Sequence, residues 1–162
     1  MSRIVAWILS LLISIFPSLI RYSPPLDWEA SALVVLDAIK TRNIDAIEAY
    51  MCKNIKDHVP NLKGEIGSFI DAIQGDITGF KKRASNGSGY SSSRGAIEQK
   101  DSAWDITTTV TTYYLVIVWE IYNNFAFEER GIRSIGITAT LDDGQKIREG
   151  ISATEGIWSS HK

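Results

Sequence analysis

The chain has few of the residues that build cross-links and metal sites. It contains one cysteine, Cys52, and two histidines, His58 and His161, in 162 residues. One cysteine cannot form an intrachain disulfide or supply the thiolates of a cysteine-based zinc site. The two histidines are isolated and form no H-E-x-x-H pattern, so they make a weak metal case. We therefore expect no metal ion and no other cofactor, and we interpret Cys52 as a small buried apolar residue.

Catalytic motifs and excess positive charge are also missing. The sequence has no G-x-S-x-G elbow, and its SNGSG stretch lacks the lysine and following helix of a phosphate loop. The first 22 residues contribute only Arg3 and Arg21, so the rest carries 15 basic and 19 acidic residues, a net charge of −4. Nucleic-acid binding depends on neutralising phosphates, and we therefore expect no nucleic-acid partner.

The amino-terminal segment is a long uncharged run. Residues 4–20 contain no charged side chain, and as a helix they would span about 25 Å, slightly less than a hydrocarbon core of about 30 Å. The run is longer than the apolar core of a typical signal peptide, and no small-x-small cleavage site follows it. The sequence predicts an uncleaved membrane anchor over residues 1–22. A removed signal peptide is the alternative.

This segment also gives an expected location. Arg3 and the terminal amine precede the apolar run, which favours a cytoplasmic amino terminus and a domain outside the cytoplasm. The protein would then sit in the cell membrane, or be secreted if the segment is cleaved. Residues 23–27, with the Pro24-Pro25 pair, form the expected linker, and residues 28–162 form one expected domain.

The hydrophobic pattern of the domain changes from helical to strand-like along the chain. Apolar residues recur at helical spacing over residues 27–74, and Asp27, Asn43 and Asn61 are placed to cap three short helices. Beyond Gly75 the pattern is typical of strands. The stretch DITGFKKR predicts a strand, ASNGSGYSSSRG a flexible loop, residues 100–102 a turn, and Asp142-Asp143-Gly144 the turn of a last hairpin.

This order of elements predicts the fold class. Helices first and strands afterwards indicate an α+β fold in which three helices pack on one face of an antiparallel sheet. A hydrophobic helix would precede them at the amino terminus.

One strand-like run, residues 107–124, contains the candidate site. Its first half is rich in threonine, and its second half is apolar on both faces except for Glu120. A carboxylate beside Val118 and Tyr122 would be partly desolvated, as pocket acids and bases are. Glu120 is therefore our one candidate catalytic residue, and Tyr114, Glu120 and Tyr122 are the candidate ligand-binding residues. The alternative is that Glu120 pairs with Arg133 on the next strand, or points to water.

The phrases LDAIKTRNIDAIEAYMC and IGSFIDAIQGDITGF, followed by a Ser/Gly loop and long strands, carry a resemblance. Over roughly residues 28–140 the chain resembles a family of short, uncharacterised proteins exported by Gram-positive bacteria, often as lipoproteins. That resemblance implies the cone-shaped fold of nuclear transport factor two, also called cystatin-like, with a curved sheet around a cavity. The lipidated cysteine of those lipoproteins is missing here. The resemblance implies no activity.

Three classes of function follow from these features. The first is a non-catalytic, membrane-tethered or exported domain that binds a small apolar ligand or a protein partner. The second is an isomerase- or dehydratase-type enzyme with Glu120 as its acid or base. The third is a structural dimerisation module, a homodimer formed through the outer sheet face. The missing motifs favour the first class.

Overall fold

The computed structural model describes residues 26–92, 95–123 and 126–152. The expected anchor at residues 1–22 lies outside them. The helices and strands are α1 (Trp28–Lys40), α2 (Ile44–Tyr50), α3 (Lys53–His58), α4 (Leu62–Asp71), β1 (Ile77–Ser92), β2 (Gly95–Thr108), β3 (Thr112–Asn123), β4 (Gly131–Thr140) and β5 (Lys146–Ser152), with one 3₁₀ turn at Phe127–Glu129. The α+β prediction is confirmed.

The helices begin largely where the sequence predicted. Asp27 caps α1 by accepting a hydrogen bond from the Ala30 amide, and Asn43 caps α2 through the Ala46 amide, at 3.1 Å each. Asn61 precedes α4 but makes no such side-chain bond.

The predicted second helix is in fact two helices, so the helical layer has four members among the described residues. The break falls at Met51, which is extended and forms a parallel bridge with Ile132. The Cys52 amide then donates to the Ile132 carbonyl at 3.0 Å. Pairing with β4 therefore replaces the helical hydrogen bonds at this point.

The described strands form one antiparallel sheet in the order β1-β2-β3-β4-β5, each paired with its neighbours in sequence. Register shifts mark four irregularities or β-bulges, two in the β1–β2 ladder and one each in the β2–β3 and β3–β4 ladders. Such bulges bend and twist the strands in which they occur. The predicted hairpin turn at Asp142-Asp143-Gly144 is confirmed, with Gly144 at a φ of +85°.

The prediction of a flexible loop over the stretch ASNGSGYSSSRG is wrong. Residues 84–92 continue β1 and pair in register with β2, up to Ser92 opposite Gly95. The predicted turn at residues 100–102 is also wrong, because β2 runs through it with β1 on one side and β3 on the other. Serine and glycine suggested a loop by composition, but a ladder is built from backbone groups that every non-proline residue carries.

The run over residues 107–124 is two strands rather than one. A turn at residues 109–111 separates β2 from β3. The Thr108 hydroxyl closes it, accepting hydrogen bonds from the Val110 and Thr111 amides and donating to the Thr111 carbonyl at 3.0 Å. Serine and threonine hydroxyls stabilise turns in this way, whereas strand propensity alone reads consecutive threonines as one strand.

The core lies between the helical layer and one face of the sheet. The alternation along β3 buries Tyr113, Leu115, Ile117 and Trp119, all fully inaccessible. Helix residues such as Phe69, which is 1% exposed, pack against them. The opposite face of the sheet, called here the outer face, carries Tyr114, Val116, Val118, Glu120 and Tyr122.

Candidate functional site

Glu120 is a buried ion-pair member. Its side chain is 1% exposed, and its Oε2 lies 2.8 Å from Nη1 of Arg133, whose side chain is 44% exposed. The Asn123 amide group donates to Glu120 Oε1, and Gln99 Nε2 lies 3.5 Å from Oε2. Arg133 is the extra residue of a bulge, since Val118 pairs with Ser134 and Trp119 with Ile132. The carboxylate therefore has three hydrogen-bonding neighbours. One of them, Arg133, is the partner named in the alternative interpretation of Glu120.

The candidate ligand-binding residues do not converge. Tyr114 and Glu120 lie on the same strand, but six residues apart, about 20 Å at 3.3 Å per residue. The Tyr114 ring is 39% exposed and contacts the Arg83 guanidinium, whose carbon is 5.4 Å from the ring centroid. Tyr122 is half-buried on the same face. The structure thus places Tyr114 away from the other two residues.

The space between helices and sheet is filled by side chains. Trp119 and Tyr113 have no exposed surface, and Phe69 has 1%. The Trp119 indole nitrogen donates to the buried Ser102 hydroxyl at 3.1 Å, and the Gln74 amide donates to the Tyr113 hydroxyl at 2.8 Å. Trp28 packs against the edge of this cluster. Large aromatic residues therefore occupy the space between the helical layer and the sheet.

Cys52 lies close to the Glu120 ion pair but is not exposed. It is 1% accessible, and burial raises the pKa of its thiol above the ordinary value, helped by the nearby carboxylates of Glu129 and Glu120. A thiol in this state is neutral and poorly nucleophilic. The interpretation of Cys52 as a small buried residue is confirmed.

An open groove lies at the other end of the sheet. Its volume is about 790 Å³, within the range of small-molecule sites. It is formed by the residues after α4 and by the β4–β5 hairpin. We call it the hairpin groove; its lining residues are Ala72, Gln74, Thr138, Ala139, Thr140, Gln145, Lys146, Ile147, Arg148 and Glu149.

Strand alternation divides the lining of the hairpin groove into two sides. Ala139 and Ile147 pair directly and pack against the core, and Glu149 shares their face of β5. Thr138, Thr140, Lys146 and Arg148 lie on the outer face. With Ala72, the inward side gives the groove an apolar floor, and Glu149 is the one half-buried carboxylate among its described lining residues.

The linker and the hairpin groove are at opposite ends of the sheet. The Leu26 amide donates to the Ile121 carbonyl at 2.8 Å, which fixes the start of the domain at the carboxyl end of β3. The groove lies beside Thr138, which pairs with Tyr114 near the beginning of β3. Seven residues separate Tyr114 from Ile121, about 23 Å along the strand. We call these two ends the linker end and the hairpin end.

Neither a metal cluster nor a spanning helix is found in the part of the chain that the structure describes. Within residues 26–92, 95–123 and 126–152, no three histidine, cysteine, aspartate or glutamate side chains are grouped so that they could hold a metal ion. No helix in the same ranges has the length and apolar character needed to cross a membrane.

The hairpin groove could not be found from the sequence. Its floor combines Ala72, at the end of α4, with Ala139 and Ile147 from a distant hairpin, and none of them belongs to a motif. Only the fold brings them together.

Comparison with known proteins gives a family but no activity. No curated protein matches the chain. A domain of unknown function, DUF5104, matches residues 34–148, a span that begins within α1 and ends within β5. This span is more than half of the chain and includes most of both layers. The chain therefore belongs to the DUF5104 family, whose function is unknown.

Proposed function

We propose that this protein is a non-catalytic binding domain, tethered at its linker end, that takes a small ligand of largely apolar character in the hairpin groove. The observation that carries the proposal is the contrast between a filled interior and an open groove. Trp119, Tyr113 and Phe69 fill the space between the layers, whereas the groove offers about 790 Å³ over an apolar floor.

The tether follows from the amino-terminal sequence. Residues 4–20 are uncharged, and only residues 21–25 separate them from Leu26, which is hydrogen-bonded to the end of β3. Five residues reach at most about 18 Å. A membrane-anchored chain would hold its linker end near the bilayer and present the hairpin end away from it. We place the domain outside the cytoplasm on the weak charge bias around the apolar run.

We also propose that the fold belongs to the cystatin-like cones, as the resemblance to exported Gram-positive proteins implies. The support is a helical layer followed by an antiparallel meander with bulges that bend its strands. In this chain the cone would be closed by its own aromatic residues, so ligand binding would move from the interior to the rim.

An enzyme built on Glu120 has less support. An acid or base needs to reach its substrate, but this carboxylate is 1% exposed and engaged by Arg133 and Asn123. A homodimer through the outer sheet face is also less supported. The large exposed apolar residues of the described chain are Leu33, Val34, Val110 and Tyr114, which lie on α1, in a turn and on β3 and do not form one patch on the sheet.

A thermal-shift screen tests the proposed function. The full chain in lipid nanodiscs would be melted with a library of small apolar and amphiphilic molecules. We expect compounds that raise Tm for the wild type and lose their effect in Ala139→Phe, which fills the groove floor. Glu120→Gln is the matched control and should keep the same shifts. The proposal fails if no compound stabilises the wild type, or if Glu120→Gln abolishes the shifts while Ala139→Phe keeps them.

A further inference from the structure

We propose that the ligand of the hairpin groove is a small organic amine, a positively charged group on a short apolar chain. This inference rests on the proposed function, because it names the chemistry of the molecule that the same groove would take. It starts from Glu149, which lines the groove and is half-buried.

Glu149 is set apart from most other carboxylates of the described chain by what surrounds it. Glu120, Glu29 and Asp105 each have a cationic partner within 2.8 Å. Glu149 makes no ion pair or side-chain hydrogen bond with any residue that the structure describes. A half-buried carboxylate has lost part of its hydration, and a cation that pairs with it recovers the lost interaction.

The apolar floor and the carboxylate lie on the same wall. Ile147 and Glu149 are two residues apart on β5, about 7 Å, and face the same side. Ala139 lies directly opposite Ile147, and Ala72 closes the floor at the carboxyl end of α4, where a helix has partial negative charge. An alkyl chain lying on Ile147 and Ala139 would bring its charged end to Glu149.

The two cations among the described lining residues do not reverse this preference. Lys146 and Arg148 alternate with Ile147 and Glu149 and therefore belong to the outer face. Both are exposed, so solvent and salt screen their charge more strongly than that of a half-buried group. They would repel a cation only weakly from the far side of the strand, and a carboxylate ligand would have to leave the apolar floor to reach them.

Methyl-resolved NMR tests the inference at a single site. The full chain, labelled at the isoleucine δ1 methyls and held in nanodiscs of zwitterionic lipid, would be titrated with n-butylamine, butyrate and 1-butanol. These three probes share one alkyl chain and differ in charge. Ile147 reports the groove floor, and Ile55, buried in α3 at the linker end, is the internal control.

We expect n-butylamine to shift the Ile147 methyl at the lowest concentration and to leave Ile55 unchanged. Glu149→Gln should raise the Kd of the amine about fivefold, as expected for one solvent-accessible ion pair, and leave the Kd of 1-butanol unchanged. Glu98→Gln, the same change on β2 outside the groove, should alter both by less than about twofold.

Two results would overturn the inference. If the three probes bind alike at Ile147, or Glu149→Gln leaves the amine unaffected, the groove binds apolar molecules without choosing a cation, and the proposed function survives. If butyrate binds more tightly than the amine, the groove prefers the opposite charge. A response at Ile55 without a response at Ile147 would contradict the proposed function itself.

Discussion

The two ends of the sheet each have a glutamate, but the two side chains differ in burial and in their hydrogen-bond and ion-pair partners. At the linker end, Glu120 is 1% exposed and surrounded by Arg133, Asn123 and Gln99. At the hairpin end, Glu149 is half-buried beside an apolar floor and no described side chain pairs with it. A buried acid whose partners are in place is a structural group, because removing one partner would leave a buried charge unpaired, whereas an acid that faces an open groove without a partner is available to a ligand. The two glutamates therefore differ in the residues that surround them, and those residues decide whether the carboxylate can meet a ligand.

The largest expected effect tests whether the interior is truly filled. Trp119→Ala should lower the free energy of unfolding by about 4 kcal/mol, because it removes a fully buried ring and leaves the Ser102 hydroxyl without its donor. Denaturant unfolding measures the loss. Ile147→Ala, on the groove floor, is the matched change and should cost about 1 kcal/mol, since its side chain is only partly buried. Equal losses would mean that the interior is no better packed than the groove.

Alanine substitution of one glycine at each end of the sheet tests how tightly the backbone is packed there. Gly131→Ala should cost about 3 kcal/mol, because Gly131 has a φ of +137° and an added Cβ would overlap the Tyr50 carbonyl oxygen. Gly144→Ala, in the hairpin turn at a φ of +85°, meets open space and should cost only about 1 kcal/mol. Thermal melts of both variants give the difference. A larger loss for Gly144→Ala would show that the linker end is not the tightly packed one.

The ion pair should contribute a smaller amount. Glu120→Gln is expected to lower the free energy of unfolding by about 2 kcal/mol, less than a fully buried pair, because Arg133 is 44% exposed and can turn to water. Glu98→Gln removes a carboxylate from an exposed pair with Lys100 and should change stability by less than about 0.5 kcal/mol. Chemical denaturation distinguishes the two. A silent Glu120→Gln would return Glu120 to the list of candidate catalytic groups.

Substitution of Cys52 should have the smallest effect on the free energy of unfolding, and that effect should depend on pH with a known sign. Burial raises the pKa of this thiol in the folded state, so the unfolded chain ionises first as pH rises. Its contribution is fully present below the ordinary thiol pKa of about 8.5 and decreases above it, by about 1 kcal/mol over the next pH unit. Cys52→Ala should flatten that part of the stability profile. A wild type and a variant with parallel profiles would refute the assignment.

Local patterns in the sequence predicted much of the fold. Helical spacing predicted the helices over residues 27–74, and the period-two alternation of a strand explains why Tyr113, Leu115, Ile117 and Trp119 share the buried face. These patterns succeed because a side chain's direction depends only on the local backbone. The possible pairing of Glu120 with Arg133 was also visible, since both lie on strands that follow each other in the chain.

Long-range structure was less accessible. The turn at residues 109–111 depends on hydrogen bonds between the Thr108 hydroxyl and nearby backbone amides. It was not predicted because threonine has a high strand propensity. The Ser/Gly continuation of β1 depends on a partner strand rather than on its own residues. Ala72, Ala139 and Ile147 form a floor only after folding, so no spacing rule could have predicted the groove.

The most direct test asks where a retained molecule sits. Native mass spectrometry of the full chain would compare the wild type, Ala139→Phe and Glu120→Gln, each saturated with the best compound from the thermal screen. We predict one bound molecule per chain in the wild type and in Glu120→Gln, and none in Ala139→Phe. Binding that persists in Ala139→Phe and disappears in Glu120→Gln would place the site at the linker end and contradict the account.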